Sequence, residues 1–380
     1  MAIDETWIER ASSLEDCVRA HADQNEKQTY LCAEVATELA RLNLYRLAAP
    51  KKCLGADVDP CTQMAVIERI SSFDGSTGWN LMIGMETFGL VSPSMETCLS
   101  LIEDPMVVMA SSTAAVGRAK PVDGGWEITG QWQFASGVHN AQVFGATVVK
   151  DPDRTQENPT RYYAMVTKGQ YEILDTWHVS GLRGSGSHDV QITKVVVPEH
   201  RVVATLGYGS LPSMQLQMPL GVRLTFCKVG VALGIARAAI ETFQQLAAGK
   251  TPRFANRKLQ ERRFAQRSLA SAELRFRTSR AAMYEHAELV WQHAIEDRPL
   301  PDYDRAIAHL LASDAAQAAV EVVEHVVQAA GTSANQLNNP LERLSRDVRV
   351  VRQHATVAPH HIDDVGRVLI GLEPRGILMM

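Results

Sequence analysis

The chain has 380 residues, of which 46% are hydrophobic and 21% charged, a globular composition. Its net charge of −5 and isoelectric point near 6.2 argue against a nucleic-acid partner, which asks for a basic patch. The length exceeds what one hydrophobic core usually serves, so two or three packed units are expected.

The first residues, MAIDETWIERASSLEDC, are acidic and polar, unlike a secretory signal. No apolar run reaches the roughly 18 residues of a membrane span. Six cysteines (Cys17, Cys32, Cys53, Cys61, Cys98 and Cys227) lack CxxC spacing and read as reduced thiols of a cytoplasmic protein. Residues 1–105 read as a helical domain. There, CTQMAVIERISSFDGSTGWNLMIGM carries apolar residues at helical spacing, interrupted at DGSTG, and AAPKKCLGADVDP is a connecting loop. Residues 106–215 read as a β domain of short β-branched and aromatic runs, with VDGGWEITG as a tight hairpin.

Within that β unit, WQFASGVHNA (132–141) begins with strand alternation and stops at Ser136-Gly137. This is either a turn closing a strand or a small polar edge facing a ligand. Residues 216–380 return to helices. No proline or glycine interrupts Lys258 to Asp297, and Ala265, Leu269, Ala272, Phe276, Met283, Ala287, Val290 and Ala294 form one apolar stripe. Such a helix buries its stripe only against other helices, of its own chain or of a neighbour. AIAHLLASDAAQAAVEVVEHVVQAAG, stopping at Gly331, and ERLSRDVRVVRQHATVAPHHIDDVGRVLIG, interrupted at Pro359, supply partners. The order predicts an α+β protein with a cleft where the β unit meets the bundle.

Three passages together resemble the acyl-CoA dehydrogenase superfamily: VGRAKPVDGGWEITGQWQFASG, DTWHVSGLRGSGSHDVQITKVVVPEHRV and AAGTSANQLNNPLERLSRDVRVVRQH. The resemblance runs from about residue 15 to residue 371. It implies an N-terminal helical domain, a central β-barrel or sandwich domain and a C-terminal four-helix bundle, assembled as a homotetramer. One departure carries weight. A dehydrogenase of this kind needs a carboxylate to take the α-proton of a thioester. No glutamate occurs between Glu342 and Glu373, and His354 stands near the expected place.

The RDVRVVRQH variant is similar to the two-component flavin-dependent monooxygenases (group D) of this fold, which include p-hydroxyphenylacetate, dibenzothiophene and indole oxygenases. That likeness implies reduced FMN or FAD, delivered by a separate NAD(P)H-flavin reductase, and O2 as co-substrate. A C4a-hydroperoxide would hydroxylate a small aromatic or heteroaromatic substrate. Three alternatives stay open: an acyl-CoA dehydrogenase with FAD and a displaced base such as Glu241 or Glu86, an N-oxygenase acting on an amino sugar, and a non-catalytic homologue.

The resemblance assigns His354 and Ser136 to catalysis. It assigns Ser111, Ser112, Phe134, Ala135, Ser136, Trp177 and Arg253 to the flavin, Arg253 through its phosphate, for which guanidinium geometry is suited. Each also has a plain structural reading: a strand-closing turn, a helix-face histidine, a core tryptophan, a solvated loop arginine. Gly184 to Ser187 form a flexible turn that reads as cofactor contact or hairpin. Arg346 and Asp347 read as a buttress of the bundle. His139 has no assigned role. His360 and His361 are adjacent, about 100° apart on a helix, and make no metal site. Residues 85–90 and 206–218 are candidate pocket walls, the methionines of the latter being adaptable.

Overall fold

The structure, a computed structural model, describes residues 3–156, 159–205 and 211–379. Five helices come first: α1 (Glu5–Ser12), α2 (Glu15–Gln28), α3 (Ala33–Arg41), α4 (Pro60–Ser71) and α5 (Gly75–Val91). Asp59 caps α4 by accepting from the Thr62 N–H at 2.9 Å, and Pro60 opens its first turn. The DGSTG interruption is shorter than its composition suggests. Asp74 caps α5 by accepting from the Thr77 N–H at 2.8 Å, and the two glycines lie inside the helix. Gly78 belongs there because a Cβ would sit 1.9 Å from Ser71 Oγ. α5 is buried almost all round, as a central helix is.

The β unit holds β1 (Met109–Val122), β2 (Gly125–Trp132), β3 (Val143–Lys150), β4 (Arg161–Thr167), β5 (Glu172–Leu174), β6 (Asp189–Val197) and β7 (Val202–Ala204). They form one mixed sheet in the order β5-β6-β2-β1-β3-β4-β7, antiparallel throughout except for β1 with β3. The expected hairpin turns on Asp123-Gly124, with Val122 paired to Gly125 and Gly124 at φ +86°. Ile128, Trp132, Phe144, Val148, Val166 and Ile192 belong to a hydrophobic cluster of the sheet and its loops.

The C-terminal helices are α6 (Leu220–Gly249), α7 (Arg263–Ile295), α8 (Asp302–Ala330), α9 (Pro340–Arg352) and α10 (His361–Leu369). The stripe expected on α7 is the face it buries, including Ala265, Ala272, Phe276, Met283, Ala287, Val290 and Ala294. α8, continued to Asn335, is the one helix among the described residues long and apolar enough to cross a membrane. Its apolar window is 67% buried inside the protein, as in a core helix. α6 presses on α4 through Gly230 and Gly234; a Cβ on Gly234 would lie 2.4 Å from the Glu68 carbonyl oxygen. The helices of both chain ends therefore share one core, to which Met109, Val143, Tyr163 and Met165 of the sheet also contribute, while other sheet residues form a second cluster.

Candidate active site

The strand β2 ends at Trp132, which is fully buried and donates from Nε1 to the Thr147 carbonyl at 2.8 Å. With that side chain fixed, the next residues turn sharply. Phe134 adopts φ +57°, a conformation that is costly for an aromatic residue and that clusters at functional sites. The Ala135 N–H donates to the His188 carbonyl at 3.0 Å and the Gly137 N–H to the Ser185 carbonyl at 3.1 Å, which pins the turn. As a result the Phe134 side chain is 67% exposed. Its ring meets Trp177 edge to face at 6.3 Å, and Trp177 Nε1 is anchored on the Leu182 carbonyl at 3.1 Å. Two held aromatic rings at an open corner suit a planar ring system.

Ser136 points the other way. Its Oγ accepts from Trp79 Nε1 at 3.2 Å and lies 2.6 Å from Ser187 Oγ, which lies 2.8 Å from Ser185 Oγ. The hydroxyl is buried in a three-serine chain. The Gly184–Ser187 turn thus serves Ser136 and, through the Gly184 carbonyl, Asn80 of α5 at 3.2 Å.

Trp79 also meets the His354 ring edge-on at 5.4 Å. Ser136 and His354, 218 positions apart, are brought together by Trp79, which the sequence reading did not single out. Nδ1 of His354 accepts from the Thr356 backbone N–H at 3.3 Å and lies 3.0 Å from Thr356 Oγ1. Burial, with the Lys228 charge as the second cause, pushes its pKa down to about 3. The imidazole is therefore neutral at neutral pH, with its proton on Nε2. Among the described residues Nε2 has no partner, so it is a free donor.

Ser111 and Ser112 face opposite ways from β1, as strand neighbours do. Ser111 Oγ lies 3.1 Å from Thr87 Oγ1 of α5, whereas Ser112 Oγ donates to the Gln133 carbonyl at 3.3 Å, one residue before Phe134. The neighbouring residue on α5, Glu86, lines a small cavity of about 20 Å³ together with Leu90, Gln215, Met218 and Arg223, among others. Both expected wall segments contribute to it, although 206–210 lie outside the described residues. Inside, Lys228 pairs with Glu86.

Arg253 is not brought to this corner. It is exposed in the loop after α6, with its guanidinium over the Phe254 ring. Lys228 and Gly249 lie 21 residues apart on α6, a span of about 32 Å at the helical rise.

The two displaced-base candidates fare no better: Glu241 is exposed and Glu86 is held by Lys228. His139 stacks on Tyr30 at 4.1 Å. His360 and His361 stand at the start of α10, as expected of a pair after Pro359. Arg346 and Asp347 do not pair with each other. Arg346 binds Glu342 and Glu26 at 2.7 and 2.8 Å, and Asp347 Oδ1 accepts from the Leu182 N–H at 2.6 Å. They tie the Trp177 loop to α9.

Residues 226–359 match the family described as acyl-CoA dehydrogenase, C-terminal domain. An indole-3-acetate monooxygenase of Pseudomonas putida is 30% identical over 94% of this chain and 91% of its own. The FADH(2)-dependent resorcinol hydroxylase, oxygenase component, of a Rhizobium strain is 25% identical over 97% and 95%. The crystal structure of 3-HSA hydroxylase from Rhodococcus sp. RHA1 superposes with a TM-score of 0.86, covering 98% of both chains at 24% identity.

Proposed function

Because this chain belongs to the flavin-dependent monooxygenases built on the acyl-CoA dehydrogenase fold, as their oxygenase component, we propose that it hydroxylates an indole-like aromatic substrate. Reduced flavin, as FADH2 or FMNH2, supplies the electrons that activate O2 for insertion into the ring. The observation that carries the site assignment is the free Nε2–H of a neutral His354, in edge contact with Trp79, which in turn is bonded to Ser136 of the turn that exposes Phe134.

Each residue then has a task. Phe134 and Trp177 support the planar ring system, while Ala135 and Ser112 hold the Phe134 turn from beneath and Ser111 contacts α5 through Thr87. Ser136 fixes Trp79, and Trp79 fixes the His354 ring. His354 donates a hydrogen bond from Nε2 where negative charge develops on oxygen; a preorganised donor in a water-poor site is effective there. A separate NAD(P)H-flavin reductase delivers the flavin, and six free cysteines fit a reducing cytoplasm. The distance along α6 favours an Arg253 that reaches the flavin phosphate of a neighbouring copy, within a homotetramer.

The test is turnover of indole and its 3-substituted derivatives under 18O2, with NAD(P)H, flavin and an added reductase. One labelled oxygen per hydroxylated product, formed only with the reductase, is expected. No product with either flavin, or reduction of tightly bound FAD by an acyl-CoA, overturns the reading.

A further inference from the structure

Arg223 makes no ion pair among the described residues, although the Glu86 and Asp57 charges act on it. It lines the cavity beside Glu86, and the one side-chain hydrogen bond it makes among the described residues runs from a terminal nitrogen to the Gly89 carbonyl at 3.1 Å. Guanidinium stays charged in proteins, and a half-buried charge that makes no ion pair is favourably placed to take an anion. The carboxylate within the cavity is already taken, because Glu86 pairs with a Lys228 that is 2% exposed. Asp57, the next acid whose charge Arg223 senses, is held by Ser213 Oγ at 2.8 Å and the Met214 N–H at 3.0 Å. Two cations thus face one carboxylate at this wall, and burial depresses the Arg223 pKa to about 10, so the guanidinium remains protonated at neutral pH.

The cavity adjoins the His354–Trp79 site along α5. Trp79 and Glu86 are both on α5 and seven residues apart, so they share one face, about 10 Å from each other along the axis. Lys228 links the two ends, since it pairs with Glu86 and its charge also acts on His354. The cavity walls around Arg223 include the apolar Leu90, Met218 and Leu224.

We infer that Arg223 anchors a carboxylate, so that the substrate is an aromatic acid with its ring toward Trp79 and His354 and its acid arm toward Arg223. The assignment rests on the oxygenase reading for the place of the ring, and on the unpaired guanidinium for the acid. A carboxylate there completes a charge-assisted pair that Gly89 alone does not supply. A small cavity admits such an arm by displacing the wall that carries Gln215 and Met218, which is a short 3-10 turn rather than a regular helix.

Calorimetric titration reads this directly. Indole-3-acetate and phenylacetate are compared with their amides on the intact protein, without flavin and, anaerobically, with reduced flavin. Each acid is expected to bind roughly tenfold or more tightly than its amide. Arg223→Gln should bring the ratio near one, and Arg223→Lys should keep part of the preference. Circular dichroism melts show whether both variants fold. Equal affinity of acid and amide for the wild type, no binding of either acid, or an undiminished ratio in a folded Arg223→Gln variant overturns the inference and leaves Arg223 as a cap on the last turn of α5. Turnover is not needed for these ratios, so they stand if the oxygenase reading fails. Conversely, oxygenation of a neutral indole stands if the ratios fail.

Discussion

His354 works as a neutral donor, and that has a consequence for stability. Its folded pKa is about 3, against 6.5 for an unperturbed imidazole. Between those values the unfolded chain binds a proton that the folded chain refuses. Its contribution is therefore complete above pH 6.5 and is lost as pH falls toward 3. His139 and His309, both pushed down to about 4, act in the same direction, whereas Asp347, raised to about 7, acts in the opposite one. A His354→Gln variant isolates the first term. The melting temperature of the wild type, relative to the variant, should fall on going from pH 7.5 to pH 5; a pH-independent difference would count against a neutral buried imidazole. Activity gives the second reading. Glutamine retains an N–H donor, so it should keep more turnover than His354→Leu, which is expected to lose on the order of 100-fold. The sequence pointed to His354 because it stands where a carboxylate was expected. It hid Trp79, because a tryptophan in an apolar helical run looks like core, and its Nε1–H partner lies 57 positions away.

At the scale of elements, the site depends on a loop held to a helix. Asp347 of α9 accepts from the Leu182 N–H, Leu182 has φ +50°, and the Leu182 carbonyl in turn anchors Trp177. Gly181 lies so close to α9 that a Cβ would be 2.5 Å from the Arg346 carbonyl carbon. Asp347→Ala removes the acceptor and leaves the Leu182 N–H unsatisfied, at a cost of about 1–3 kcal/mol. Asp347→Asn keeps an acceptor and should cost less. Urea unfolding of the two variants measures the gap, and equal losses would show that the hydrogen bond is immaterial. Amphipathic periodicity made α7 and its buried face legible from sequence, since a helix records its packing in its own spacing. The Arg346–Asp347 tether was not legible as such. Which groups meet across more than 150 residues is decided by the docking of α9 against the sheet's loops, and no local pattern encodes that.

For the whole molecule, the question is where Arg253 acts. It lies about 32 Å along α6 from the Lys228 end of the site, in a loop where Phe254 is 95% exposed. Leu337, in the turn before α9, is 86% exposed. Contiguous exposed apolar patches mark association surfaces, and a neighbouring copy seated on the Arg253 loop would cover Phe254. In a homotetramer, Arg253 of one copy would serve the flavin of another. Two inactive variants test this together. Arg253→Ala lacks the phosphate partner and His354→Leu lacks the donor. If both residues act within one chain, every chain of a mixed assembly lacks one of them, and mixing restores nothing. If Arg253 acts on a neighbour, an Arg253→Ala chain beside a His354→Leu chain has a complete site. Co-expression should then recover roughly a quarter of wild-type turnover, since random pairing gives that arrangement in half of half the sites. Light scattering of the same sample should give a tetramer. A monomeric mass, or a mixed assembly as inactive as its parents, would return Arg253 to the status of a solvated loop residue.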